Sequence, residues 1–155
     1  MISKFTIRVY GILTDSKKRV LVSDEFLRGE YFTKFPGGGM ELGEGTRDCL
    51  KREFKEETGL DVTIGEHIYT TDYFQVSAFK NTDQIVSIYY YAYANEPGAL
   101  QQLEIKTKPF DFSPQQVADV DGQSEVLRWI EWNDFSAETV SLPIDKIVVD
   151  MLVRS

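Results

Sequence analysis

The chain holds one cysteine, one histidine and five prolines in 155 residues, and each scarcity removes a class of protein. A lone cysteine, Cys49, forms no internal disulfide, so the fold does not depend on an oxidising compartment. Cys49 and the single His67 cannot supply the Cys/His set of a structural zinc site. Long hydrophobic runs are missing: the most apolar stretch, Ile85 to Ala94, is about half the roughly 20 residues that span a bilayer. Met1-Ile2-Ser3-Lys4-Phe5 lacks the charged and apolar regions of a secretory signal. Lys and Arg number 17 against 25 Asp and Glu, a net charge of −8, and form no cluster. Neither a nucleic-acid partner nor a membrane partner is therefore expected, and the expected location is cytoplasmic.

With 42% hydrophobic and 13% aromatic residues, the chain can bury a core. A domain near this length removes roughly two-thirds of its unfolded surface from water. No internal repeat or low-complexity tract appears, and only residues 95–124 are weakly patterned, so residues 1–155 read as a single domain.

Residues Phe5–Leu13 and Val20–Val22 are rich in β-branched residues and flank a polar turn at Asp15–Lys18, which predicts a β-hairpin. A third short strand at Tyr31–Phe35 ends in Pro36-Gly37-Gly38-Gly39, where proline cannot continue a ladder. The spacing predicts a helix over 46–58: Thr46 can cap it, Leu50 and Phe54 stack at i, i+4, and Gly59 suits a left-handed stop. Strands are expected over Val62–Ala78, over Ile85–Ala94, apolar on both faces and hence central, and over Glu125–Ile130. Pro143 opens a last helix, whose apolar stripe is Ile144, Ile147, Val148, Met151 and Leu152. The long segment 95–124 is either a substrate-covering loop, a disordered insertion, or the seat of a further strand near Leu103-Glu104-Ile105.

Carboxylates are concentrated in the predicted helix. Glu53, Glu56 and Glu57 fall at i, i+3, i+4 and share one face. Like charges so placed repel by a few tenths of a kcal/mol per exposed pair, so the cluster calls for a cation or a strong partner. Arg52 can be one partner, through Glu56 at i+4. Glutamate oxygens are hard ligands suited to Mg²⁺ or Mn²⁺. The glycine-rich turn ahead of the helix lets backbone carbonyls and amides approach a ligand. A solvated acidic helix face is the plainer reading of three glutamates, but it accounts for neither the glycine turn nor Arg52.

Gly38, five residues, Glu44, seven residues, then Arg52-Glu53-Phe54-Lys55-Glu56-Glu57-Thr58-Gly59-Leu60 resembles a complete Nudix box. At typical residue usage such a match has a chance on the order of 10⁻⁹ per start position. The resemblance implies an α+β fold, an α/β/α sandwich with a mixed β-sheet flanked by helices and a catalytic loop-helix at 38–60. It implies a pyrophosphohydrolase that cleaves the diphosphate of a nucleoside diphosphate linked to another moiety, with Mg²⁺ or Mn²⁺ as cofactor and a nucleotide-like small molecule as substrate. Carried over by position, Glu53 and Glu57 would be the main metal ligands, Glu56 a further one, and the Gly38 carbonyl an additional oxygen, while Arg52 would orient the glutamates. Glu44 is a secondary candidate. The general base is a box glutamate or a later acid: Glu53 comes first, Glu125 second, and Glu96, Asp119 and Asp121 remain candidates. Subfamily markers are missing, and no residue is marked for substrate binding. Members are often dimers, which allows a homodimer.

Two alternatives stand beside this one. A non-catalytic nucleotide-sensing module of the same fold would not need all three glutamates. An isomerase of small prenyl diphosphates would use a cysteine placed otherwise than Cys49, which reads as core packing together with Leu50 and Phe54. His67 reads as a satisfied strand residue. Tyr89, Tyr90, Tyr91, Tyr93, Trp129 and Trp132 could stack a nucleobase, although most suit a core.

Overall fold

The computed structural model describes residues 1–155. Its strands are β1 (Lys4–Leu13), β2 (Arg19–Leu27), β3 (Glu30–Lys34), β4 (Gly37–Gly39), β5 (Val62–Thr70), β6 (Asp83–Ala94), β7 (Ile105–Lys106) and β8 (Gln123–Glu131). The helices are α1 (Thr46–Thr58), α2 (Pro114–Ala118) and α3 (Pro143–Val153). Packing divides the chain into two compact units, one of Met1–Leu13 with Pro36–Leu100, the other of Thr14–Phe35 with Gln101–Ser155. Each unit is built on a mixed four-stranded sheet.

In the first unit the strand order is β4-β1-β6-β5. The apolar strand β6 is central, as its two-faced pattern predicts, running parallel to β1 and antiparallel to β5. β1 does not form the expected hairpin with β2. The Asp15–Lys18 turn exists, with Asp15 Oδ1 accepting the amides of Lys17 and Arg19 at 3.0 and 2.9 Å, but the strands it joins enter different sheets. Turn chemistry is local, whereas a strand's partner is decided by burial along its whole length. The glycines 37–39 are likewise more than a stop, for they pair antiparallel with Tyr10, Val9 and Arg8 as β4. Gly37 is obligatory there: at φ 144° a Cβ would run into the Val9 backbone oxygen.

Helix α1 lies on this sheet, with Cys49, Leu50 and Phe54 buried. It comes so close that a Cβ on Gly11 would sit 2.5 Å from Phe54 Cε2. Gly59 ends the helix at φ 78°, its N–H donating to Lys55 O. The expected cap is corrected: Gly45 is the N-cap and carries no side-chain bond, while the Thr46 hydroxyl is engaged with Tyr90. β5 stops at Thr70 rather than Ala78; beyond it only an isolated bridge, Val76 to Gln84, remains.

In the second unit the order is β3-β2-β8-β7. β2 and β3 form a hairpin through Arg28 and Gly29, both at positive φ (51° and 82°), as a two-residue turn matched to strand twist requires. β2 is buried along nearly its whole length, including its charged residues. Asp24 accepts from Arg128 Nε at 2.6 Å and Nη2 at 3.0 Å, from Thr33 Oγ1 at 2.6 Å and from the Phe110 amide at 3.1 Å. Glu25 pairs with Lys34 at 3.1 Å and accepts from Ser23 Oγ at 3.2 Å. Because successive residues point to opposite faces, each face of this sheet carries one buried ion pair.

The weakly patterned segment contains a 3₁₀ turn at Pro97–Gln102, α2, and the anticipated extra strand, found as β7 at Ile105–Lys106 beside Leu127 and Arg128. α3 begins at Pro143 as expected, but its buried face is Ile144, Asp145, Val148, Val149 and Leu152. Ile147 and Met151 are exposed. The two stripes are neighbours on the helix, and tertiary packing selects the one that includes Asp145.

Candidate active site

The site grows from the junction of β4 and α1. Gly38 stands opposite Val9 of β1, and its carbonyl faces the Cys49 thiol, which donates to it at 3.9 Å. Missing a side chain, Gly38 leaves room that the Glu53 carboxylate fills: a Cβ there would lie 2.6 Å from Glu53 Cδ.

Arg52 organises the surrounding acids. Its Nε and Nη2 grip Glu44 at 3.0 and 2.7 Å in a fork, the strongest geometry for this pair of groups. Nη1 donates to Glu53 at 3.0 Å and reaches Glu56 at 3.3 Å, while Nη2 also donates to Gly39 O at 3.0 Å. The anticipated Arg52–Glu56 contact is thus present but secondary, since Glu56 is largely exposed. Glu44 accepts the Glu41 amide at 2.8 Å. The Arg52 hydrogen bond, followed by that amide, holds the Glu44 carboxyl down at about 2. The bond to Glu44 also raises Arg52 above its ordinary value. Burial pushes the Cys49 thiol up to about 12, reinforced by the negative charge of Glu44. Such a thiol is inert packing, as the sequence indicates.

Glu57 is half-buried, with its Oε2 atom shielded from solvent. Glu53, Glu56 and Glu57 occupy one side of α1, yet no three His, Cys, Asp or Glu side chains converge as a metal-binding group. In kind, the donors fit a hard cation: carboxylate and carbonyl oxygens, with the only nearby thiol held neutral. The cradle at Gly38 keeps the Glu53 carboxylate against the β4 backbone.

Among the later acids, Glu96 belongs to the far end of α1, beside Gly59, Leu60 and Asp61 in a cavity of about 560 Å³. Asp119, Asp121 and Glu125 belong to the second unit, where Glu125 stands in register with Glu25. Tyr89 and Tyr90 are core residues, whereas Tyr93 and Trp132 expose part of their rings. His67 is a strand residue bonded to Thr70 Oγ1 at 2.7 Å. Sequence reasoning did not anticipate the fork between Arg52 and Glu44, eight residues apart. The signal for it lay in the box spacing, because Glu44 precedes the helix and only a loop folding back can bring it to Arg52.

A glycine strand feeding a helix of arginine-tied glutamates is the arrangement that the box spacing implies. A family model described as the NUDIX domain matches residues 4–148, spanning segments of both units, and the chain belongs to the Nudix hydrolases. An 8-oxo-dGTP diphosphatase from Proteus vulgaris is 30% identical over an alignment covering 46% of this chain and 75% of that protein. Two solved structures share the fold. A NUDIX hydrolase from Nitrosomonas europaea aligns with a TM-score of 0.65 at 17% identity, covering 94% of this chain and 86% of the other. A MutT protein from Methanosarcina mazei aligns with a TM-score of 0.66 at 14% identity, covering 99% and 96%. No helix is long and apolar enough to cross a membrane.

Proposed function

We propose that the chain, acting as one domain, is a metal-dependent pyrophosphohydrolase that cleaves the diphosphate of a nucleoside diphosphate joined to a further group, by attack of water at phosphorus. The observation that carries this reading is the Arg52 cluster, in which one guanidinium pairs with Glu44, Glu53 and Glu56 while the Glu53 carboxylate packs against Gly38. Gly38 O, Glu53, Glu56 and Glu57 would hold Mg²⁺ or Mn²⁺. When bound, the ion would neutralise phosphoryl oxygens and make a water more acidic. Arg52 aims Glu53 and Glu56 by ion pairing, and Glu44 keeps Arg52 in place. Glu53, pressed against the β4 backbone, takes the proton of the attacking water; Glu125 is the second candidate for that role. Resemblance to an 8-oxo-dGTP diphosphatase makes nucleoside triphosphates, oxidised ones included, the first substrates to try.

The test is turnover with Mg²⁺ on a panel of nucleoside triphosphates, nucleotide sugars, dinucleotides and coenzyme A, alongside Glu57→Gln. Release of phosphate, pyrophosphate or nucleotide by the wild type and its loss in the variant are expected. A chain that hydrolyses none of them yet is stabilised by one would be a nucleotide sensor instead.

A further inference from the structure

Building on the hydrolase reading above, we propose that Tyr90 is a positioning residue: through Thr46 it fixes how far α1 can slide along the sheet, and so fixes Glu53 against Gly38. Helix α1 begins without a side-chain cap, at Gly45. The one hydroxyl that could have closed its first turn, on Thr46, instead shares a 2.7 Å hydrogen bond with the Tyr90 hydroxyl. Tyr90 lies on β6, in register with Gly11 of β1 and His67 of β5. Its ring is buried and meets the His67 ring edge-on at 5.7 Å. The next helix residue strengthens the joint: Arg47 holds its guanidinium 4.7 Å from the Tyr90 ring centre and donates to Ile64 O and Gly65 O at 2.8 and 2.9 Å. Those carbonyls sit where the β5 register is irregular. The start of α1 is therefore tied to two strands by contacts that a cap would not make.

A second fastening lies eight residues on, about 12 Å along the axis at 1.5 Å per residue, where Phe54 fits over Gly11. That contact is apolar packing without a directional bond, and the directional ties toward β4 are those of Arg52 to Gly39 O and Cys49 to Gly38 O. Glu53, one residue before Phe54, has no slack toward Gly38, so a displacement of a few tenths of an ångström changes its distance to the β4 backbone. Buried Cys49, Leu50 and Phe54 keep the helix folded whether or not Tyr90 has a hydroxyl, which separates positioning from stability.

Tyr90→Phe keeps the ring and its stacking on Arg47 while removing the bond to Thr46. The expected results are a melting temperature lowered by no more than about 4 °C, faster hydrogen exchange at the Cys49, Leu50 and Lys51 amides, and Mn²⁺ binding by calorimetry weakened about three- to tenfold, the range of one ordinary hydrogen bond. kcat should fall by a similar factor with KM unchanged. Thr46→Val should do the same, Thr46→Ser should behave as wild type, and Tyr90→Phe with Thr46→Val should be no worse than either alone. Wild-type amide exchange in Tyr90→Phe, or losses that add in the double variant, would overturn the proposal. If no nucleotide is hydrolysed by the wild type, the hydrolase reading fails, while the exchange data still decide the role of Tyr90.

Discussion

The Glu53 carboxylate occupies the volume that a side chain at residue 38 would need, with both of its oxygens 2.7 Å from an ideal Cβ there. The obstacle is the end of a flexible chain, and Gly38 does not adopt a left-handed φ, so Gly38→Ala should fold by pushing Glu53 aside. We expect a melting temperature within about 3 °C of wild type and a loss of activity of about 100-fold, the usual result of moving a reacting group by an ångström. Gly37→Ala should do the reverse, because its Cβ meets the Val9 backbone at φ 144°, and backbone strain there costs about 1–3 kcal/mol of stability. Equal melting losses in the two variants would refute this division.

Glu44 makes stability depend on acid pH. Its carboxyl lies at about 2 in the fold against an ordinary 4.5, first through the Arg52 hydrogen bond. A depressed carboxyl stabilises above its unfolded value and loses that contribution as pH falls through its folded one. Urea unfolding of the metal-free protein should show wild type ahead of Glu44→Gln at pH 6, with the gap closing between pH 4.5 and 2. A gap independent of pH would show that the Arg52–Glu44 charge pair is not its source.

Cys49 should resist alkylation. Its thiol, raised to about 12 by burial, is almost wholly protonated at pH 8, and the thiolate is the reactive form. Iodoacetamide labelling at pH 8 should be negligible in the native protein and should rise across the urea range in which circular dichroism reports unfolding. Fast native labelling would place the thiol at the surface.

Removing one partner of the Asp24–Arg128 pair should be expensive. Arg128→Met leaves a carboxylate with no exposure, and stranding a buried charge costs about 3–5 kcal/mol. Asp24→Leu combined with Arg128→Met should recover part of the loss, as a double-mutant cycle in chemical denaturation can show. A single variant as stable as wild type would mean that water reaches Asp24.

The helix of the candidate site was legible because its information is local: Leu50 and Phe54 at i, i+4, Gly59 at the left-handed stop, and the box spacing within 23 residues. Gly38, Glu53 and Glu57 are proposed as site residues on the same grounds. What could not be read was set by distant residues. Thr46 gives up its capping role to a tyrosine 44 positions away, β1 abandons its neighbour β2 for β6, and α3 turns Asp145 inward in preference to Met151. The buried charges of β2 were hidden for the same reason, since Asp24 and Glu25 resemble surface residues until Arg128 and Lys34 arrive.

The parallel ladder of β1 and β6 pairs Lys4 with Asp83 and Leu13 with Ala92, which imposes an order on how the protein is made. At roughly 5–20 residues per second, the ribosome needs about 4–16 s to travel from one strand to the other. Over about the last third of that interval α1 is already synthesised but the strand carrying Tyr90 is not, so the glutamate helix waits without its platform. The nascent chain passes through a stage in which β1 has one long edge open, a state that chaperones, low temperature or slow codons before residue 83 would prolong.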